Sequence, residues 1–337
     1  NYGSNFYIGS GLIFNLSEDL NLSSSITHLI GPGDNYFDKS LNYRNVPLYS
    51  FGLIWEPSPV LSYEGKITNS FGGTPSTGIL TIPSANIPLY YLGFTYKGYQ
   101  EDIILNPLTE TQSYFSQGGL SLENPNIPLR GSNQTWINFD SKGNLFLAYS
   151  YSLSNVFQID LLNIGRFNNR NNLNLTESRI RDRYLNNYNT NYRLGGKFLL
   201  FSPKKGDNIN LATKISVGRN DTNNQGYIFS ELINASIINE KIALNLNPKY
   251  LWSGDGTLGG LGFGLQYKLY NNLQFIPEYN LNLSSNENSN FTLGFRYSRS
   301  SKRWIDFYIS NAEGLQDIGE LLKSKDVRFG FKLNAVY

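Results

Sequence analysis

Cysteine is absent from the 337 residues and histidine occurs once, as His28. Without a thiol there is no disulfide scaffold, no thiolate nucleophile and no thiolate metal site. A Ser–His or Cys–His arrangement would have only His28 to draw on. Charge is scarce: 16% of residues are Asp, Glu, Lys or Arg and the formal net charge is +2, which gives no basic surface for nucleic acid. No apolar run reaches the roughly 18 residues of a membrane-spanning helix. There is also no serine nucleophile elbow, HExxH or Walker motif. The chain begins at Asn1 with neither a basic segment nor an apolar stretch, as when a signal peptide has been removed or the chain trimmed.

What the chain has is period two. Phe329, Phe331, Leu333, Ala335 and Tyr337 fall on one face, and Arg328, Gly330, Lys332 and Asn334 on the other. The pattern returns in Phe291, Leu293, Phe295 and Tyr297 against Thr292, Gly294 and Arg296. It appears again in Leu261, Phe263, Leu265 and Tyr267 against Gly262, Gly264 and Gln266, and in Leu244, Leu246 and Tyr250 against Asn245, Asn247 and Lys249. Such runs read as amphipathic strands of about 9–12 residues, the length a tilted strand needs to cross a bilayer and longer than is usual in a soluble sheet. Tyr267, Tyr270, Tyr297, Tyr308 and Tyr337 crowd the strand ends, where an aromatic girdle meets the membrane interfaces. A closed barrel is the sheet that satisfies every backbone group in lipid.

The last strand, apolar at alternate positions and ending in an aromatic, resembles the terminal signal that bacterial outer-membrane β-barrels present to their assembly machinery. Its residues are Phe329, Phe331, Leu333 and Tyr337. The remainder resembles porin-like barrels as a pattern only. The resemblance implies an outer-membrane location, a periplasmic C-terminus, contact with membrane lipid and lipopolysaccharide, and delivery by the barrel assembly machinery.

Alternation from that end assigns short periplasmic turns near 152–154, 203–207, 237–240, 270–272 and 300–302. Longer extracellular connections then fall at 98–141, 164–191, 219–225, 251–257, 283–289 and 311–324. With further strands near 4–15, 18–28, 48–56, 59–69, 75–82 and 88–97 the total is odd, whereas single-chain bacterial barrels are even. The expectation is therefore one all-β antiparallel transmembrane barrel over 1–337, of about 16 strands with 14 as the alternative.

The lumen face receives Arg193, Lys197, Lys214, Lys241, Lys249, Lys268, Arg296, Arg328 and Lys332, against few acids such as Glu278 and Asp306. A basic wall in a narrow aqueous path favours anions. The other reading is that these charges pair with loop acids or hold a plug. The 98–141 stretch, with Pro107, Pro125 and Pro128, could fold into the lumen or cap the barrel. Arg166, Arg170, Arg179, Arg181 and Arg183 in 164–191 form either an anion-contact surface or a solvated rim that binds lipopolysaccharide. Leu315, Ile318 and Leu322 recur at helical spacing and predict a short structural helix.

Two functions follow: a porin for small polar or anionic solutes, or a non-conducting barrel that anchors, binds a partner or serves polysaccharide export. A conducting channel should have an open bore, whereas a structural barrel should have its lumen filled by 98–141 or by large side chains such as Phe146 and Tyr308. The stretch GILTIPSA, Gly78 to Ala85, resembles a motif of exopolysaccharide-export barrels over too few residues to carry weight. No enzyme, cofactor or metal is expected. His28 reads as an interface or rim residue, no spacing makes Asp306 and Glu278 a catalytic pair, and Asp221 with Asp255 is too little for a calcium cage. The glycosylation-type matches at Asn133 and Asn174 follow from an Asn-rich composition. A homo-oligomer is compatible with the apolar outer faces, and a nucleic-acid partner is not expected.

Overall fold

The computed structural model describes residues 6–37, 43–58, 61–70, 88–97, 106–166, 191–220, 225–254, 256–284 and 287–337. The chain divides into two compact units, Asn1–Asp102 and Ile103–Tyr337.

The first unit is an antiparallel sheet in the order β1 (Phe6–Asn15), β2 (Leu20–Ile30), β5 (Leu48–Ser58), β6 (Leu61–Thr68) and β7 (Leu89–Tyr96). A separate ribbon pairs β3 (Tyr36–Phe37) with β4 (Tyr43–Arg44). Asn69 ties the end of β6 to β5, accepting from the Tyr49 amide at 2.8 Å and donating to the Pro47 carbonyl at 2.9 Å. Phe6, Tyr90 and Leu92 on the outer strands stay 78%, 85% and 89% exposed, so this sheet presents large apolar side chains outward. His28 is exposed on β2, opposite Ile8. The GILTIPSA stretch lies outside the described residues.

The second unit closes on itself. Its strands are β8 (Asn133–Asp140), β9 (Asn144–Ser154), β10 (Phe157–Arg166), β11 (Asn191–Phe201), β12 (Leu211–Asn220) and β13 (Gln225–Asn239), followed by β14 (Ile242–Ser253), β15 (Gly256–Tyr270), β16 (Leu273–Asn282), β17 (Asn290–Ser300), β18 (Arg303–Ala312) and β19 (Lys323–Val336). Each pairs antiparallel with its neighbour, and β19 returns to β8, with Phe331 opposite Phe139 and their rings stacked 5.3 Å apart. The described barrel thus has twelve strands rather than about 16. Alternation marks a residue's face but not the strand on which a sheet closes, and the strands of the first unit carry the same alternation.

Along β14, Asn245, Asn247 and Lys249 are buried, while Leu244, Leu246, Tyr250 and Trp252 are exposed. On β17, Asn290, Thr292 and Arg296 are inside and Phe291, Leu293, Phe295 and Tyr297 outside. This is the reverse of a soluble sandwich, which hides its apolar face. An apolar exterior around a polar interior, with all strands paired, is the arrangement that lipid demands.

The hairpin turns near 155–156, 240–241, 271–272 and 301–302, with the 203–205 turn, gather at one end together with Tyr337. The 166–191 and 312–323 connections leave from the other. The 98–141 stretch departs from its expected place. Residues 98–105 lie outside the described residues, 106–132 enter the barrel from the short-turn end, and 133–140 are β8. A strand with period two at its end was hidden by the irregular chain before it.

Candidate functional site

The lumen is the candidate site, and the protein's own chain fills much of it. Residues 106–132 start at the short-turn end, where the Asn106 amide donates to the Lys204 carbonyl at 2.9 Å. They return there, with the Gly131 amide donating to Ser152 O at 2.9 Å. Between these points a short helix, α1 (Glu110–Phe115), begins at a capping box in which Thr109 and Gln112 each accept from the other's backbone amide. The Tyr114 hydroxyl pins the helix to the rim by donating to Tyr270 O at 2.8 Å.

The segment then turns at Gly118, whose φ of +74° suits glycine, and reaches the middle of the barrel. Three successive amides at this apex converge on one carboxylate of β16. Leu120 N and Leu122 N donate to Glu278 Oε1 at 2.7 and 3.3 Å, and Ser121 N and Ser121 Oγ donate to Oε2 at 2.8 and 2.7 Å. Consecutive amides form an anion-binding nest, here occupied by the wall's own acid. The apex carbonyls face cations. Arg296 donates to Gly118 O at 2.5 Å and Gly119 O at 2.7 Å while holding Asp306, and Lys332 donates to Leu120 O at 2.6 Å.

A second inward fold, residues 313–322, comes from the opposite end and contains α2 (Ile318–Leu321). The short helix expected there exists, but it is buried in the lumen. Ile318, Leu321 and Leu322 pack with Phe229, Leu251 and Leu258. Glycines make the room: a Cβ on Gly260 would come within 2.5 Å of Leu321 Cδ2, and one on Gly262 within 2.5 Å of Leu122 Cδ2. The small side chains on the wet face of β15 are therefore seats for two leucines.

The basic side chains fall as follows. Arg193, Lys197, Lys214, Lys249, Arg296, Arg328 and Lys332 are buried inside the barrel. Arg193 binds Asp317 at 2.7 Å, and Lys197 lies 3.7 Å from Glu123. Lys214 meets Glu123 and, at 3.6 Å, Asp317. Lys249 meets Glu320 and, at 3.8 Å, Glu231, while Arg328 binds Asp140 and Glu313, each at 3.0 Å. Lys268 sits half-buried near the rim with its ammonium 4.7 Å from the Tyr114 ring centre. Lys241 is exposed in the turn before β14 and does not line the lumen, because that strand begins one residue later.

Acids are not few in the lumen. Glu123, Glu313, Asp317 and Glu320 arrive on the two inward folds, which the sequence alone presents as loops. Glu278 and Asp306 hold separate partners rather than acting as a pair. Phe146 and Tyr308 are both buried. Between the first fold and the β8–β11 wall a polar cavity of about 380 Å³ remains, lined in part by Trp136, Gln158, Asp160 and Lys197.

Burial pushes the Glu123 carboxyl up, but Lys214, Lys197 and Arg193 together outweigh it and hold the group down at about 2. A depressed value means that its contribution is full above the ordinary glutamate value of about 4.3 and is lost as pH falls through the folded value. The hold of Glu123 on the first fold should therefore be complete down to about pH 5 and weaken as pH falls from there toward 2, so bilayer current should rise over that lower range and Glu123→Gln should flatten that rise.

Space at the apex is equally restrictive. A Cβ on Gly119 would sit 1.7 Å from Glu278 Oε1, and that oxygen is held by the nest. Gly119→Ala should loosen the first fold by about 1–3 kcal/mol, the usual cost of overpacking. The check is cleavage after Glu123 by a Glu-specific protease in detergent, expected to quicken by about tenfold.

Of the loop arginines, Arg166 ends β10, and Arg170, Arg179, Arg181 and Arg183 lie outside the described residues, as do Asp221, Asp255 and Asn174. Asn133 opens β8. Phe329, Phe331, Leu333 and Tyr337 are exposed on β19 and just beyond it. Among the described residues no group of three or more His, Cys, Asp or Glu could hold a metal ion.

The apolar exterior, the polar interior and the closed antiparallel sheet define the class: a transmembrane-type β-barrel. No family model matches the chain, and no curated protein matches it. Among solved structures, the KdgM porin aligns with 60% of this chain and 98% of its own at 7% identity and a TM-score of 0.44. An outer membrane channel from Pseudomonas putida F1 aligns with 63% of this chain and 97% of its own at 10% identity and 0.41. The NanC porin aligns with 60% and 98% at 6% identity and 0.39. These are likenesses of shape and carry no residue role or solute across.

Proposed function

We propose that this protein is an outer-membrane barrel held shut at rest by its own chain, and that the basic wall anchors the plug rather than selecting anions. The observation that carries this reading is the Gly118–Leu122 apex, gripped through its amides by Glu278 and through its carbonyls by Arg296 and Lys332. Cations engaged by carbonyls and by acids on the inward folds are not free to attract a passing solute. Liposomes carrying the intact protein should not swell in small sugars or amino acids. Swelling that falls with solute size would return the protein to the open-porin reading, which the remaining polar cavity of about 380 Å³ favours.

In this account the short-turn end, with Tyr337, faces the periplasm. The arginine-rich connection leaving β10 meets lipopolysaccharide phosphates at the other end. The exposed Phe329, Phe331, Leu333 and Tyr337 are what the assembly machinery reads. Deleting Tyr337 should lower the yield of heat-resistant, membrane-inserted barrel several-fold in cells while leaving refolding in detergent nearly unchanged. An unchanged cellular yield would remove Tyr337 from that role.

A further inference from the structure

The two inward folds enter from opposite ends and share anchors. Leu120 of the first and Leu315 of the second belong to one buried cluster with Ile276 and Tyr308. On the wall, fully buried Lys214 pairs with Glu123 of the first fold and lies 3.6 Å from Asp317 of the second. Its ammonium also reaches Gln316 Oε1 at 3.5 Å. Asp317 is held in addition by Arg193 at 2.7 Å and by the Ser216 hydroxyl, which donates to it at 3.2 Å.

The shared cation turns this proximity into a linkage. Glu231 stands opposite Lys214 on the next strand and is engaged by Lys249, Arg193 and Lys197 share the acids Asp317 and Glu123, and the Lys214 ammonium itself contacts one acid from each fold. Withdrawing either fold alone takes away one of the two acids that the buried Lys214 contacts, and breaking a buried ion contact by removing one partner is costly. It also strips Leu120 or Leu315 of its partner. We propose that the two folds form one cooperative gate pinned at Lys214, so that release at one end of the barrel loosens the other. This rests on the plugged-barrel reading above and adds the coupling.

The absence of native cysteine makes the test clean. Single reporters, Leu120→Cys or Leu315→Cys, are placed in the otherwise unchanged chain, and their reaction rates with a small charged methanethiosulfonate are measured in detergent. Each is then combined with Glu123→Gln and with Asp317→Asn. Coupling predicts that either acid substitution speeds both reporters, by about 5- to 150-fold for linkage of ordinary strength. Acceleration confined to the fold that carries the substitution overturns the coupling and leaves the plug standing. Rapid reaction of both reporters without any acid substitution overturns the plug and the coupling together. If Asp317→Asn yields no heat-resistant barrel, Ser216→Ala takes its place. It removes only the hydroxyl donor to Asp317 and must still accelerate the Leu120→Cys reporter.

Discussion

Replacing residues 117–124 with a short glycine–serine linker turns a silent barrel into one that conducts in stable steps, raising mean current at least about tenfold. The segment removed contains the apex that meets Glu278, Arg296 and Lys332, together with Leu122 in its glycine seat on β15. It also contains Glu123, the partner of Lys214 and Lys197. With it gone these cations line a water-filled bore, so the shortened protein should prefer anions although the intact one conducts little. Adding Lys332→Glu and Lys197→Glu should then move the reversal potential toward cations. The twelve strands keep every ladder, because the excised residues precede β8 and pair with no strand. A shortened protein as silent as the intact one would mean that 313–322 seals the bore alone.

Glu278→Leu is expected to free the first fold without touching it. Leucine keeps the bulk but removes both oxygens, leaving three apex amides and the Ser121 hydroxyl without their acceptor. Removing one partner of a buried charged interaction costs about 3–5 kcal/mol, so cleavage after Glu123 by a Glu-specific protease should rise about two to four orders of magnitude. Glu278→Gln, which retains one acceptor oxygen, should fall between. Equal, slow cleavage in all three proteins would show that the nest contributes little and that Arg296 and Lys332 hold the apex.

The strands of the barrel were legible because their outer faces answer to lipid. Leu244, Leu246 and Tyr250 repeat every second residue regardless of what the interior does, and the turns at 270–272 and 300–302 lie where the alternation breaks. Closure was not legible, since β19 meets β8 across nearly two hundred residues through a ladder that any amphipathic strand could offer. The basic wall was readable as inward-facing for the same reason as the strands. Its neutralisation by loop acids was readable only as an alternative, and the pairing not at all, because Glu123, Asp317 and Glu320 sit in segments with no strand period and reach Lys214 and Lys249 only after the chain turns back into the lumen. One signal was available. Gly260, Gly262 and Gly264 stand on the inner face of a single strand, where a water-filled pore has no need of small residues and a packed plug does.

Single-channel recording of the intact protein in a planar bilayer under a salt gradient decides whether the inward folds keep the lumen shut at rest. At neutral pH, and for protein shown to be heat-resistant and folded, a plugged barrel gives a baseline without sustained steps beside robust steps from the variant lacking 117–124. Sustained large steps from the intact protein, with a reversal potential already on the anion side, would contradict it and make the basic wall a selectivity element after all.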